Sequence, residues 1–467
     1  VIEKFDYHYS NIFRLFHPEL GNADIIGNSL RFEWITNSSR EVKPNSLFIP
    51  LKAERDGHLF IEDAIQKGAI GFLYTKGNKH FRNLPKDIQA KGIPVDDTWT
   101  GLGILGHFHR SRFNPFVIGI TGSSGKTTTK EFLGKIFNHW GSSSIVVTEG
   151  NFNNEIGVPF TLFRINEKTK VVILEMGMNH RGEIAKLTKI AKPNWAVITT
   201  IGSAHIENLK SPMEIAREKT DILLGLPKRG KLFYRGQKEF SKLVTSRAKT
   251  LEIDWVDLQK YKSKLKIINT QANGFHLDFQ GENFFWKFPG QKLLENLDLA
   301  LAIGEAFSIP KSEMIARITR YTPAKGRLEI RKKKFFVIDD TYNANPESME
   351  SSILTTKQIA DGKKFICILG DMKELGEYSK YYHQKISKLL EKLQPSLVIS
   401  FGKDSKWYTN SLRLKAENSI FHFTNSEDSI MKIRDLILTR AGNRDPILVK
   451  GSRSMKMERI IEKILEA

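Results

Sequence analysis

The chain has 467 residues, 40% of them hydrophobic and 27% charged; this composition excludes a disordered chain and, at roughly 150 residues per domain, favours about three domains over one core. The 72 Lys and Arg exceed the 52 Asp and Glu by 20 charges, which points to anionic partners and leaves nucleic acid, membrane surfaces and phosphorylated small molecules to be separated. One cysteine, Cys367 in the apolar run FICILG, excludes a disulfide framework, and no CxxC or HExxH spacing suggests zinc. No run of 18 apolar residues occurs, and the start VIEKFDYHYS lacks the basic-then-apolar order of a secretory signal. The expectation is a cytoplasmic protein without a membrane span.

In chain order, residues 1–113 carry short apolar runs, SLFIPL (46–51) and AIGFLYT (69–75), between turn-rich segments, which reads as a small α/β domain. A new rhythm begins at FVIGI (116–120), which passes through TGSSGKTTT into KEFLGKIFNHW. Phe132, Leu133, Ile136 and Phe137 share one helical face there, so the segment reads strand, loop, helix. VVILEMG (171–177) and AVITTIG (196–202) supply further strands. Residues 114–322 are thus expected to form a mostly parallel sheet with covering helices. YTPAKGR (321–327) has the Pro and Gly of a linker. Beyond it, residues 323–467 show FFVIDD, FICILGD, LVISFG and ILVKGS at intervals that leave room for helices, as in an open doubly wound, Rossmann-like sheet. The fold class expected is α/β in three domains, with a phosphate-loop domain in the centre. RKKK (331–334) reads as a solvated strand edge or hairpin.

The strongest local signal is Gly122-Ser123-Ser124-Gly125-Lys126-Thr127-Thr128 between strand and helix. Such a loop turns backbone N–H groups and a helix N-terminus toward phosphates. Lys126 would neutralise β- and γ-phosphate oxygens, and Thr127 would offer a hydroxyl to Mg²⁺. Ile120 stands where the strict GxxxxGK[ST] pattern has its first glycine, so a plain Gly/Ser turn is the alternative. Glu175 and His205 each follow a strand end, where α/β sheets place ligands. Carboxylate and hydroxyl suit Mg²⁺, whereas imidazole suits it poorly, so a further oxygen ligand is wanted. The clusters GNFNNEIG (150–157), with Asn151 and Asn154, and DDTYNANP (339–346) are either turn formers or cleft-lining residues.

TGSSGKTTTKEFL, GNFNNEIGVP, EMGMNHRGEIAKL, DDTYNANPESM, LGDMKELGEYS and VKGSRSM stand in one chain in that order. Together they resemble the Mur ligase family, over a stretch from SSREVKPNSLF (38–48) and DGHLF (56–60) to VKGSRSM (449–455). DDTYNANPESM with LGDMKELGEYS is similar to its dipeptide-adding branch, more than to the branches that add one amino acid. The resemblance implies an ATP-dependent amide-forming ligase acting through an acyl phosphate, with UDP-N-acetylmuramoyl-tripeptide, D-alanyl-D-alanine and ATP as partners. It implies two Mg²⁺ ions held by Thr127, Glu175, His205 and a carbamylated Lys219, the carbamate supplying the missing oxygen. Lys126, Glu175, His205 and Lys219 are then the catalytic set. Asn296, Arg327 and Asp340 resemble nucleotide contacts, and Ser39 and Arg40 part of the UDP-binding segment. Ser38 departs from the acidic residue usual there, and DGHLF follows AER closely, as if a loop were shortened.

The competing readings are a related ligase that adds one amino acid or extends a polyglutamate chain, and a nucleic-acid-binding ATPase. The second lacks a recognisable RNA or DNA module, so no nucleic acid is expected, nor any obligate protein partner. Without the resemblance, Lys219 in IAREKTDILLGL would be a helix-surface lysine with Glu218 and Asp221 as charge partners.

Overall fold

The structure is a computed structural model that describes residues 1–20, 30–260, 264–410, 412–415 and 419–466. An N-terminal five-stranded sheet takes its strands in chain order, Ile2–His8, Arg31–Thr36, Ser46–Phe48, Ala69–Thr75 and Gly92–Val95. Its first pair is antiparallel and the rest are parallel. The helix that follows, Thr98–Phe113, is bonded to the central sheet's helices: Arg110 Nε donates to Ala191 O at 3.0 Å, and His109 Nε2 lies 2.9 Å from Ile165 O. Phe160 and Phe163 of helix Gly157–Phe163 complete the N-terminal core. The first two sheets therefore share packing through these helices.

The central sheet is wholly parallel, in the order Asp254–Asp257, Lys231–Tyr234, Trp195–Ile198, Phe116–Thr121, Val171–Glu175, Ile145–Val147. Strand Phe116–Thr121 sits between two strands that follow it in sequence, so the chain reverses direction there and opens a crevice at the strands' carboxyl ends. Phe132, Leu133, Ile136 and Phe137 of helix Lys126–Phe137 are all fully buried, as their common face predicts. They pack with helix Gln291–Ala306 and Trp286.

A three-stranded antiparallel sheet, Leu265–Gln271, Gly274–Phe279 and Glu282–Trp286, was not read from the sequence. Its signal was the Gln280-Gly281 pair, both at positive φ (56° and 88°), which fits a two-residue hairpin turn. The C-terminal sheet runs Glu329–Lys332, Phe336–Asp340, Pro446–Lys450, Ile366–Gly370, Leu397–Phe401, Ile420–Phe423, parallel except for its first strand. RKKK falls on that antiparallel edge strand and the turn after it, as a solvated edge should. Cys367 is fully buried on strand Ile366–Gly370. Among the described residues no helix is long and apolar enough to cross a membrane.

Candidate active site

The phosphate loop is shaped by two glycines at positive φ, Gly122 (154°) and Gly125 (85°). At Gly125 glycine is required twice over: the backbone is left-handed, and a Cβ would fall 2.5 Å from Asn296 Oδ1. The loop is strapped to the end of the neighbouring strand. Ser123 N donates to Thr200 O (2.7 Å), Gly202 N to Ser123 Oγ (2.9 Å) and Thr199 Oγ1 to Ser124 O (2.6 Å). Lys126 folds back so that Nζ donates to Gly122 O at 2.7 Å. Burial, with Arg327 nearby, lowers its pKa against the opposing pull of Glu175 and Glu374.

Thr127 is where the elements converge. Its hydroxyl donates to Glu175 Oε2 at 2.9 Å and accepts from Arg327 Nη2 at 3.1 Å. Asn153 Nδ2 donates to the other Glu175 oxygen at 2.9 Å, and Lys130 Nζ lies 3.5 Å from Oε2. Burial alone would raise the Glu175 pKa, but Lys126, Lys130 and the bonds from Asn153 and Thr127 outweigh it and hold the group below its usual range. A hydroxyl and an ionised carboxylate sharing one spot are hard oxygen donors, which fits Mg²⁺.

His205 is left-handed (φ 65°), and its Nδ1 lies 2.7 Å from Glu374 Oε2. Glu374 is also left-handed (φ 62°) and accepts the Glu207 N–H at its carbonyl (3.2 Å). Lys219, on helix Pro212–Thr220, is 1% exposed, and no hydrogen bond to its side chain is found among the described residues. Burial first, and the charge of Lys126 second, push its pKa well down. The surface-lysine reading is thereby corrected, because the expected partners are engaged elsewhere. Glu218 accepts from the N–H groups of Gly182 (2.8 Å) and Ile184 (3.0 Å), capping helix Glu183–Ala191, and Asp221 pairs with Arg247.

Of the remaining expected residues, Asn296 lies against the phosphate loop and Arg327 stacks 4.0 Å over the Tyr342 ring. Asp340 acts at one remove: its carboxylate takes Lys450 Nζ (2.5 Å), the Ser352 hydroxyl and Leu328 N (3.1 Å), fixing the backbone beside Arg327. In GNFNNEIG the inward residue is Asn153. Asn154 caps the next helix through Ile156 N (3.2 Å) and Gly157 N (2.9 Å), and Asn151 is exposed. Thr128 lies in the first turn after the loop. Ser39 and Arg40 sit after strand Arg31–Thr36, Ser39 buried and Arg40 exposed, with no hydrogen bond or ion pair to the phosphate loop among the described residues. Three residues not singled out from sequence reach the loop region from the C-terminal sheet: Asn345 (Nδ2 to Ser123 O, 3.1 Å), Glu347 (from Ser203) and Glu374. Asn345 and Glu347 lie in DDTYNANPESM and Glu374 in LGDMKELGEYS, and nothing in spacing alone says which member of a motif points across a cleft.

The Mur ligase middle domain model matches residues 120–304, and the Mur ligase glutamate ligase domain model matches residues 326–453. The chain is 32% identical over 439 residues to the UDP-N-acetylmuramoyl-tripeptide–D-alanyl-D-alanine ligase of Bacillus subtilis, covering 93% of each. It resembles a crystal structure of MurF from Acinetobacter baumannii with a TM-score of 0.85 and 25% identity, covering 100% of both chains. MurF ligase from Thermotoga maritima in complex with ADP aligns at a TM-score of 0.79 and 25% identity, covering 92% of this chain and 97% of that one.

Proposed function

This chain belongs to the Mur ligase family, and on that premise we propose that it joins D-alanyl-D-alanine to UDP-N-acetylmuramoyl-tripeptide at the expense of ATP, giving the pentapeptide cell-wall precursor, ADP and phosphate. The observation that carries the reading is the Thr127 hydroxyl meeting both Glu175 of the central sheet and Arg327 of the segment leading to the C-terminal sheet. One triphosphate end can be gripped there from two sides.

A carboxylate is inert toward an amine until one oxygen becomes a leaving group. Transfer of the γ-phosphoryl of ATP to the tripeptide carboxylate gives ADP and an acyl phosphate, a mixed anhydride in which that oxygen leaves as phosphate. The amine then attacks the acyl carbon, and the tetrahedral intermediate expels phosphate. Lys126, now turned onto Gly122 O, swings to the β- and γ-phosphates, and the loop N–H groups cradle them. Asn296 and Arg327 bracket the nucleotide, and Asp340 keeps the Arg327 backbone in place. Thr127, Glu175, His205 and Lys219, the last as its carbamate, would hold Mg²⁺, two ions in all, which when bound would offset the charge gathered where triphosphate and carboxylate meet. Residues 1–113, with Ser39 and Arg40, bind the UDP sugar, Asn151 faces the same substrate, and residues 114–322 and 323–467 carry ATP and the dipeptide. The enzyme works in the cytoplasm and needs no obligate protein partner.

The alternative ligases share the phosphate loop, so the acceptor decides. Wild-type protein incubated with ATP, Mg²⁺ and UDP-muramoyl-tripeptide should yield, by mass spectrometry, a product heavier by D-Ala-D-Ala less water. A product with single amino acids and none with the dipeptide would overturn the assignment.

A further inference from the structure

Glu347 stands in the first turn of helix Pro346–Ala360, on the C-terminal sheet's side of the cleft. Its Oε1 accepts both the backbone N–H and the hydroxyl of Ser203, each at 2.8 Å, in the loop just before His205. The approach is close enough that a Cβ on Gly202 would fall 2.5 Å from Glu347 Cδ. The second oxygen, Oε2, is buried and has no hydrogen-bond partner among the described residues. A carboxylate oxygen withdrawn from water without a donor is costly, so such an atom calls for a cationic or N–H-bearing partner.

The other carboxylates around this cleft are engaged. Glu175 is held by Thr127, Asn153 and Lys130, Glu218 by two backbone N–H groups, Asp340 by Lys450, Ser352 and Leu328, and Glu374 lies against His205. The fixed charges nearby are otherwise cationic: Lys126, Lys130 and Arg327. An amino substrate enters such a site as an ammonium, which those cations repel. It needs one uncommitted carboxylate oxygen, and that oxygen must face the reacting centre.

We propose that Glu347 Oε2 receives the ammonium of the incoming dipeptide while Oε1 docks the same helix onto the Ser203 loop. The assignment rests on the ligase reading above and adds to it a residue for the amine. One side chain then performs two tasks: it offsets the substrate's positive charge, and it ties the arrival of the amine to the closing of the cleft over the His205 loop.

Glu347→Gln separates the tasks, because the amide retains a carbonyl oxygen for Ser203 and replaces the free oxygen with a donor. In folded variant the KM for D-Ala-D-Ala should rise about 10- to 100-fold, the worth of a charge-assisted hydrogen bond. The KM for ATP and the Mg²⁺ requirement should stay at wild-type values. A second arm needs no variant: a dipeptide analogue with hydroxyl in place of the amino group should inhibit wild type more weakly than D-Ala-D-Ala binds, and the variant should lose that preference. An unchanged dipeptide KM, or a wild type that binds the hydroxyl analogue as well as the amine, would overturn the proposal. A raised Mg²⁺ requirement with unchanged dipeptide KM would also overturn it, by making Glu347 a metal ligand. Wild-type protein that makes no product with the dipeptide would instead sink the ligase reading itself.

Discussion

Arg327 Nη2 donates to Thr127 Oγ1 at 3.1 Å, joining two residues 200 positions apart across the cleft between the central and C-terminal sheets. With Asn345 on Ser123, Glu347 on Ser203 and Glu374 on His205, it makes the described arrangement a closed one. Arg327→Met keeps the stem and removes the donors. It should raise the KM for ATP about ten-fold or more and shift the scattering profile toward a larger radius of gyration. A variant with wild-type ATP kinetics and an unchanged profile would show that the contact has no part in nucleotide capture.

Lys126→Ala should abolish ligation, by a factor of about 10³ or more, because its charge serves phosphate charge that develops during transfer. The fold should survive, since what is lost inside the protein is one bond to Gly122 O. Circular dichroism and thermal melting check the fold, and ADP formation checks the chemistry. Near-normal turnover in folded protein would remove the loop from the ATP site.

Lys219 gives a prediction with opposite signs for stability and activity. Its pKa is held well below the ordinary 10.5 by burial and by Lys126, so the folded chain binds fewer protons at this site than the unfolded one. Its contribution to stability is fully present above the unfolded pKa and is lost as pH falls toward the folded value. Lys219→Met, assayed without bicarbonate, should therefore be the more stable protein at pH 7, by on the order of 1 kcal/mol, with the gap narrowing toward pH 10. Carbon dioxide attacks only the neutral amine, so the same depression favours the carbamate near neutrality. Lys219→Ala should lose activity, short carboxylic acids should partly restore it, and carbon NMR should find the carbamate in wild type. Full activity in Lys219→Ala would end its role as a ligand.

Neighbouring asparagines should behave differently. Asn153→Ala removes the bond to Glu175 and should lower kcat with little change in melting temperature. Asn154→Ala removes a helix cap and should cost about 1 kcal/mol of stability with kcat retained. Matching phenotypes in the two variants would contradict this division.

How far the sequence reached depends on the range of the forces involved. The strands and the helix face of Phe132 and Phe137 were legible because burial imposes a local period on the chain. The phosphate loop was legible because its glycines serve a backbone shape that neighbouring residues specify. The hairpin sheet at 265–286 was missed because Leu265–Gln271 is largely solvent-exposed and carries no alternating core face. Asn153 was passed over for Asn151 and Asn154 because three asparagines of one cluster differ only in which way the turn points them. Glu347 and Glu374 were invisible as site residues for a longer-range reason: their partners Ser203 and His205 lie in the loop after a strand of another sheet, and only the meeting of the two sheets selects them.

Phosphate release from ATP, followed with UDP-muramoyl-tripeptide in the presence and absence of D-Ala-D-Ala, tests the central claim most directly. The account predicts sustained release only when ATP, tripeptide and dipeptide are all present, one phosphate for each amide bond formed. Sustained release with ATP alone, or release that rises with the tripeptide and is indifferent to the dipeptide, would contradict it.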